Sequence, residues 1–148
     1  MFQIRPMTVD DLDAVLLIEA ACYSAPWKYE HFQDEIAARY SLPYVAVDEG
    51  SVIGYVCLMS LFEEAQILNI AVSPNHRGRG IARLLMTKAF SLALEQGAEV
   101  MALEVRASNC AAISLYEQFG FTRVGIRAGY YESVEDAILM EKSLKESH

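Results

Sequence analysis

One stretch constrains this chain more than any other: residues 66–97, QILNIAVSPNHRGRGIARLLMTKAFSLALEQG. It opens with Ile67, Leu68, Ile70, Ala71 and Val72, an apolar run broken only by Asn69. Such a run, bounded by polar and turn residues, is the pattern of a buried strand. Pro74 lacks an amide donor and ends the ladder. From Ile81 the apolar residues return at Leu84, Leu85, Ala89, Leu92 and Ala93, the spacing of one helical face, and Gly97 stands where a left-handed cap belongs. Between strand and helix lie Arg77, Gly78, Arg79 and Gly80, with Arg83 one turn further on. Glycines let the backbone approach a bulky ligand and align successive amides. A helix N-terminus attracts phosphate, and arginines add positive charge around it. The unit predicts an anion-binding loop between a buried strand and an amphipathic helix.

Three kinds of glycine loop compete for this segment. A nucleotide-binding P-loop requires Lys and then Ser or Thr after its last glycine, but Ile81 and Ala82 follow Gly80. A dinucleotide fingerprint requires a small residue three positions after its second glycine, where Arg83 stands and is too large. The third pattern is Arg/Gln-x-x-Gly-x-Gly/Ala, met as Arg77-Gly78-Arg79-Gly80-Ile81-Ala82. It resembles the acetyl-CoA pyrophosphate loop of the GCN5-related N-acetyltransferases (GNAT), with Ala82 where glycine is commoner.

Composition narrows the partners. At 148 residues, with no repeat or linker, the chain reads as a single domain over 1–148 with a sizeable core. A net charge of -8 argues against direct nucleic-acid binding and suits a cationic peptide. No apolar run reaches 18 residues and the first residues carry no apolar signal core, so neither a membrane span nor export is expected. Cys22, Cys57 and Cys110 lack disulfide or metal spacing, and His31, His76 and His148 are scattered. Free thiols in the cytoplasm and no metal site are the expectation.

Element by element, residues 2–5 alternate as a strand closed by Pro6, and Thr8 with Asp10 and Asp11 begins a helix to about Cys22. A second helix is expected over 28–40, strands over 44–47 and 52–61 around a turn at Glu49-Gly50-Ser51, a turn at Glu63-Glu64, and the organising strand over 65–72. After the long helix come a strand over 100–105, a helix ended by Gly120, a strand over 121–127, a loop at Gly129-Tyr130-Tyr131-Glu132 and a strand over 135–142. The order β α α β β β α β α β β predicts an α/β fold of the α+β mixed type: a central mixed, mostly antiparallel sheet with helices on both faces. It matches the GNAT order along the whole chain.

In the second half, Leu103-Glu104-Val105-Arg106-Ala107-Ser108-Asn109, Leu115-Tyr116-Glu117, Phe119-Gly120-Phe121 and Tyr130-Tyr131 are similar to the RimI-type branch, as is Pro26-Trp27. That branch acetylates the N-terminal alanine of the eighteenth small-subunit ribosomal protein. The resemblance implies acetyl-CoA as co-substrate, Glu104 as base, Tyr116 as acid, and Asn109 as a coenzyme contact. Chemistry asks for the same parts. An α-amino group has a pKa of about 7.7–8.0 and must lose a proton before it attacks. A carboxylate in a cleft takes that proton, and a backbone amide stabilises the oxyanion. The amide of Ala71 or Val72 is the oxyanion candidate, if the organising strand loses its partner there.

The expected coenzyme grip is therefore Ile70, Ala71 and Val72 as a false strand for the pantetheine arm, with Arg77, Gly78, Arg79, Gly80, Ile81, Ala82 and Arg83 on the pyrophosphate. Tyr23, Trp27, Tyr130, Tyr131 and Glu132 are expected to flank a peptide N-terminus. The partner is a peptide or protein N-terminus, of a ribosomal protein in the RimI reading, and the chain is expected as a monomer or weak dimer. Two other readings remain open at this point: acetylation of a small amine, and a non-catalytic acyl-CoA-binding regulator.

Overall fold

The computed structural model describes residues 2–131 and 135–145. Its elements run β1 (Phe2–Pro6), α1 (Leu12–Cys22), α2 (Tyr29–Ala37), β2 (Ser41–Asp48), β3 (Ser51–Leu61), β4 (Glu64–Val72), α3 (Ile81–Glu95), β5 (Val100–Arg106), α4 (Cys110–Gln118), β6 (Thr122–Tyr131) and β7 (Glu135–Ser143). One seven-stranded sheet has the order β1-β2-β3-β4-β5-β7-β6. The β4–β5 pair is parallel and the others are antiparallel. This is the GNAT architecture expected above. The parallel pair needs a crossover, which α3 supplies.

Two apolar layers enclose the sheet. On one face α3 and α4 bring Ile81, Leu85, Met86, Ala89 and Ile113 against Ile53, Ala65, Met101, Leu103 and Val105. On the other, Leu12, Val15 and Ile18 of α1 and Phe32 of α2 cover Val45, Val47, Tyr55 and Ala71. The start of α3 sits close because residue 54 is glycine: a Cβ there would meet Ala71 O at 2.9 Å and Leu85 Cδ1 at 3.3 Å. Entry into α1 is fixed by Asp11, which accepts from the Thr8 amide at 2.7 Å and pairs with both Arg5 Nη atoms at 2.8 Å.

Three boundaries differ from expectation. β2 begins at Ser41, three residues before the expected start at Tyr44. The second helix stops at Ala37, and Ala38 is already extended with ψ at 135°. The expected aromatic loop at Gly129 is instead the end of β6, which keeps its ladder to Tyr131↔Glu135 across an irregularity after Arg127. Glu132 lies outside the described residues.

Candidate active site

The site begins where β4 and β5 part. They pair only from Glu64↔Val100 to Ile67↔Leu103. Beyond that point β4 keeps β3 on one side and opens on the other. A bulge coincides with the split: the β3 register passes from Cys57↔Asn69 to Leu58↔Ile67, leaving Leu68 as the extra residue. A one-residue insertion reverses which face later side chains point to. Thus Ala65 and Ile67 pack toward α3, whereas Leu68 and Ala71 pack toward α1.

Main-chain direction past the bulge is set by Ser73, whose amide donates to Ile53 O on β3 at 2.8 Å. Alternate residues along a strand turn their main-chain groups to opposite edges, so Ile70 and Val72 present theirs to the opening. The Ile70 carbonyl accepts from the Tyr23 hydroxyl, and the Val72 carbonyl accepts from the Cys22 thiol at 3.5 Å. The end of α1 therefore caps the free edge of β4.

Two contiguous cavities occupy the opening, sharing Cys22, Tyr23, Ile70, Asn109 and Tyr116. The smaller, about 390 Å³, lies over the glycine loop and takes in Ile70, Ala71, Val72, Arg77, Gly78, Gly80, Ile81, Ala82, Arg83 and Asn109. Gly78 and Gly80 both have φ near +80° (80 and 78), and a Cβ on either would meet nothing within 4 Å. Open space over left-handed glycines at the start of α3 suits a bulky anion. Arg79 does not line this cavity. Arg83 lines it, but its guanidinium donates to Gln118 Oε1 and lies 5.6 Å from the Phe119 ring centroid, so α4 holds its charge. Arg77 reaches back to Cys22 Sγ at 3.3 Å. The Asn109 side chain caps α4, accepting from the Ala112 amide at 3.2 Å.

The larger cleft, about 800 Å³, holds Glu104, Tyr116, Tyr23, Trp27 and Tyr130 along one wall or another. Glu104 leaves β5 on the side opposite Leu103 and Val105, and Tyr116 reaches in from α4, 7% exposed. The carboxylate pairs with Arg127 of β6 at 3.0 Å. Its charge, more than burial, raises the pKa of the Tyr130 hydroxyl above its ordinary value. At the rim, Glu135 accepts from the Ser108 amide at 2.8 Å and pairs with Arg106 at 3.1 Å, bonds that hold its pKa low, Ser108 contributing most. Tyr131 ends β6 opposite Glu135.

Sequence reasoning missed the deepest polar group. Glu19 is 2% exposed and lines the larger cleft. It accepts from the Tyr55 hydroxyl, from Asn69 Nδ2 at 2.8 Å and from the Trp27 amide at 2.8 Å. Burial first, then this bond, pushes the Tyr55 hydroxyl far above its usual pKa, so it stays a donor. The signal was there: an acid beside Val15 and Ile18 on the apolar stripe of α1 is out of place unless paired.

Comparison with known proteins bears on the fold and the family. The acetyltransferase (GNAT) family matches residues 12–121. A Bacillus subtilis (strain 168) protein, provisionally named a ribosomal protein bS18-alanine N-acetyltransferase, is 35% identical over 97% of this chain and 96% of its own. The Escherichia coli (strain K12) bS18-alanine N-acetyltransferase is 34% identical over 95% and 96%. The crystal structure of the E. coli ribosomal-protein-S18-alanine N-acetyltransferase superposes with a TM-score of 0.91 at 31% identity, covering 100% of this chain and 97% of that one. The chain belongs to the acetyltransferase (GNAT) family and is an N-acetyltransferase.

Proposed function

We propose that the protein transfers acetyl from acetyl-CoA to the α-amino group of an N-terminal alanine, and that its acceptor is ribosomal protein bS18. Whole-length similarity to relatives named for that reaction supports the acceptor. The observation that carries the chemistry is that Glu104 and Tyr116 line one cleft beside the open edge of β4.

In this reading the left-handed Gly78-Gly80 turn and the start of α3 hold the pyrophosphate, and Ile70 and Val72 offer main-chain groups to the pantetheine arm. The acceptor ammonium enters the larger cleft between Trp27 and Tyr130. Glu104 takes its proton, directly or through one water. The free amine attacks the thioester carbonyl, forming a C–N bond and an oxyanion. The direction of β4 favours the Val72 amide over that of Ala71 as oxyanion donor, because Val72 faces the opening. As the C–S bond breaks, Tyr116 protonates the departing thiolate.

The test is a panel of bS18 N-terminal peptide, serine- and methionine-first peptides, and free polyamines, read by coenzyme thiol release. Preferred turnover of the alanine-first peptide is expected. Faster turnover of a polyamine would replace the acceptor, and coenzyme binding with no turnover of any amine would overturn the mechanism.

A further inference from the structure

The carboxylate assigned as base is already engaged with a cation. Glu104 Oε1 lies 3.0 Å from Arg127 Nη2, with the two side chains 19% and 52% exposed. Arg127 comes from β6 and Glu104 from β5, so the pair spans the intervening β7. On β7 Arg127 stands opposite Ala137 and Glu104 opposite Leu139, so the contact runs diagonally across that strand. The guanidinium also rests 4.7 Å from the ring centroid of Tyr130, which with Glu104 lines the cleft.

We propose that Arg127 is a placeholder for the acceptor: its guanidinium occupies the ammonium position on Glu104 until the incoming N-terminus displaces it. This rests on the reading of Glu104 as base. With the guanidinium on Oε1, an incoming ammonium reaches that oxygen only by displacing it. Replacing one cation by another costs little electrostatically, whereas leaving a half-buried carboxylate bare is unfavourable. The arrangement also guards the thioester. A bare Glu104 beside bound acetyl-CoA would take a proton from water as the water oxygen forms a C–O bond to the acetyl carbon. The C–S bond would break, the thiolate would leave with the electron pair and be protonated, and acetate and coenzyme A would result. Arg127 keeps Glu104 from that reaction until an amine is present, which makes it a positioning residue acting through Glu104.

Arg127→Met keeps an aliphatic stem over Tyr130 and removes the charge; Arg127→Lys keeps the charge. With acetyl-CoA and an alanine-first peptide, Arg127→Met is expected to lower the peptide KM about three- to tenfold, the displacement of a half-exposed ion pair. It should also raise thiol release in the absence of peptide, with Arg127→Lys returning both toward the parent. A fall in kcat with peptide KM and hydrolysis unchanged would overturn the proposal and leave Arg127 a structural residue. The double variant with Glu104→Gln separates the two readings. Loss of the extra hydrolysis supports the placeholder, and its persistence overturns it. Full acetylation by Glu104→Gln alone would overturn the base itself, while a dead Glu104→Gln beside a parent-like Arg127→Met overturns only the placeholder.

Discussion

The two halves of the opening are made of different material. Over the glycine loop the groups proposed to hold the coenzyme are main chain: the open edge of β4, the left-handed Gly78 and Gly80, and the first amides of α3. The other half is built of side chains, with Glu19 and Trp27 from the α1 side, Glu104 from β5, Tyr116 from α4 and Tyr130 from β6. A main-chain surface recognises what is constant in a ligand, in the proposed reading a pyrophosphate and an amide-bearing arm. A side-chain surface assembled from distant parts of the chain can be retuned at each position, which suits the half proposed to select an acceptor. The pair Arg127–Glu104 and the network around Glu19 belong wholly to the second half.

If the chemistry belongs to the side-chain half, the largest effect should come from Glu104→Gln. A general base contributes about 10²–10⁴-fold, so kcat is expected to drop by at least a hundredfold while acetyl-CoA affinity, measured separately, is kept. A parallel loss of coenzyme affinity would merge the two halves and break the comparison. Next is Glu19→Ala, which leaves the Tyr55 hydroxyl, Asn69 Nδ2 and the Trp27 amide without their acceptor. Stranding such buried donors costs roughly 2–4 kcal/mol of stability. Denaturant melts should show that loss, and the acceptor KM should rise more than the coenzyme Kd.

The same contrast explains what could be read from the amino acids alone. The strand–loop–helix unit was legible because its ingredients are local: an apolar run, two glycines four residues after Pro74 and beyond, and a helical apolar stripe. The order of elements was legible for the same reason. The bulge at Leu68 was not, since Leu68-Asn69 reads as an interruption in either register and only the β3 partner decides it. The arginines misled in part: charge near a loop is visible in sequence, but the turn of Arg83 toward Gln118 depends on where α4 packs. At the end of β6, glycine beside paired tyrosines reads as a loop, whereas pairing with β7 extends the ladder. Arg127 carried no local signal, for its partner is twenty-three residues away on a strand that is not its neighbour.

The main-chain half has its own probe. Gly80 has φ at 78°, a conformation in which a β-branched side chain is strained by roughly 1–3 kcal/mol. Gly80→Val is expected to shift the loop and weaken acetyl-CoA binding about tenfold, with the peptide KM at saturating coenzyme nearly unchanged. Titration calorimetry with acetyl-CoA reads the first, steady-state kinetics the second. Undiminished affinity would remove the loop from the coenzyme site.

The smallest effect concerns how the side-chain wall is anchored. α1 carries Glu19, Cys22 and, just beyond it, Tyr23, and its entry is tied to β1 by the Arg5–Asp11 pair. The Arg5 hydrogen bonds hold the Asp11 pKa below its ordinary 3.8, against the opposing effect of burial. A carboxyl depressed in the folded state stabilises it fully above the unfolded pKa, and that contribution fades as pH falls through the folded value. Arg5 is 37% exposed, so solvent screening limits the pair to about 1 kcal/mol. Asp11→Asn should therefore be less stable than the parent by about that much at pH 7 in urea melts, with the gap closing as the acid limb passes below 3.8. Because the tie lies on α1, the variant should raise the acceptor KM before it touches coenzyme affinity. A gap independent of pH would mean that Asp11 acts through the Thr8 cap geometry, which asparagine also distorts, and the wall would then be anchored by hydrogen bonding without a contribution from charge.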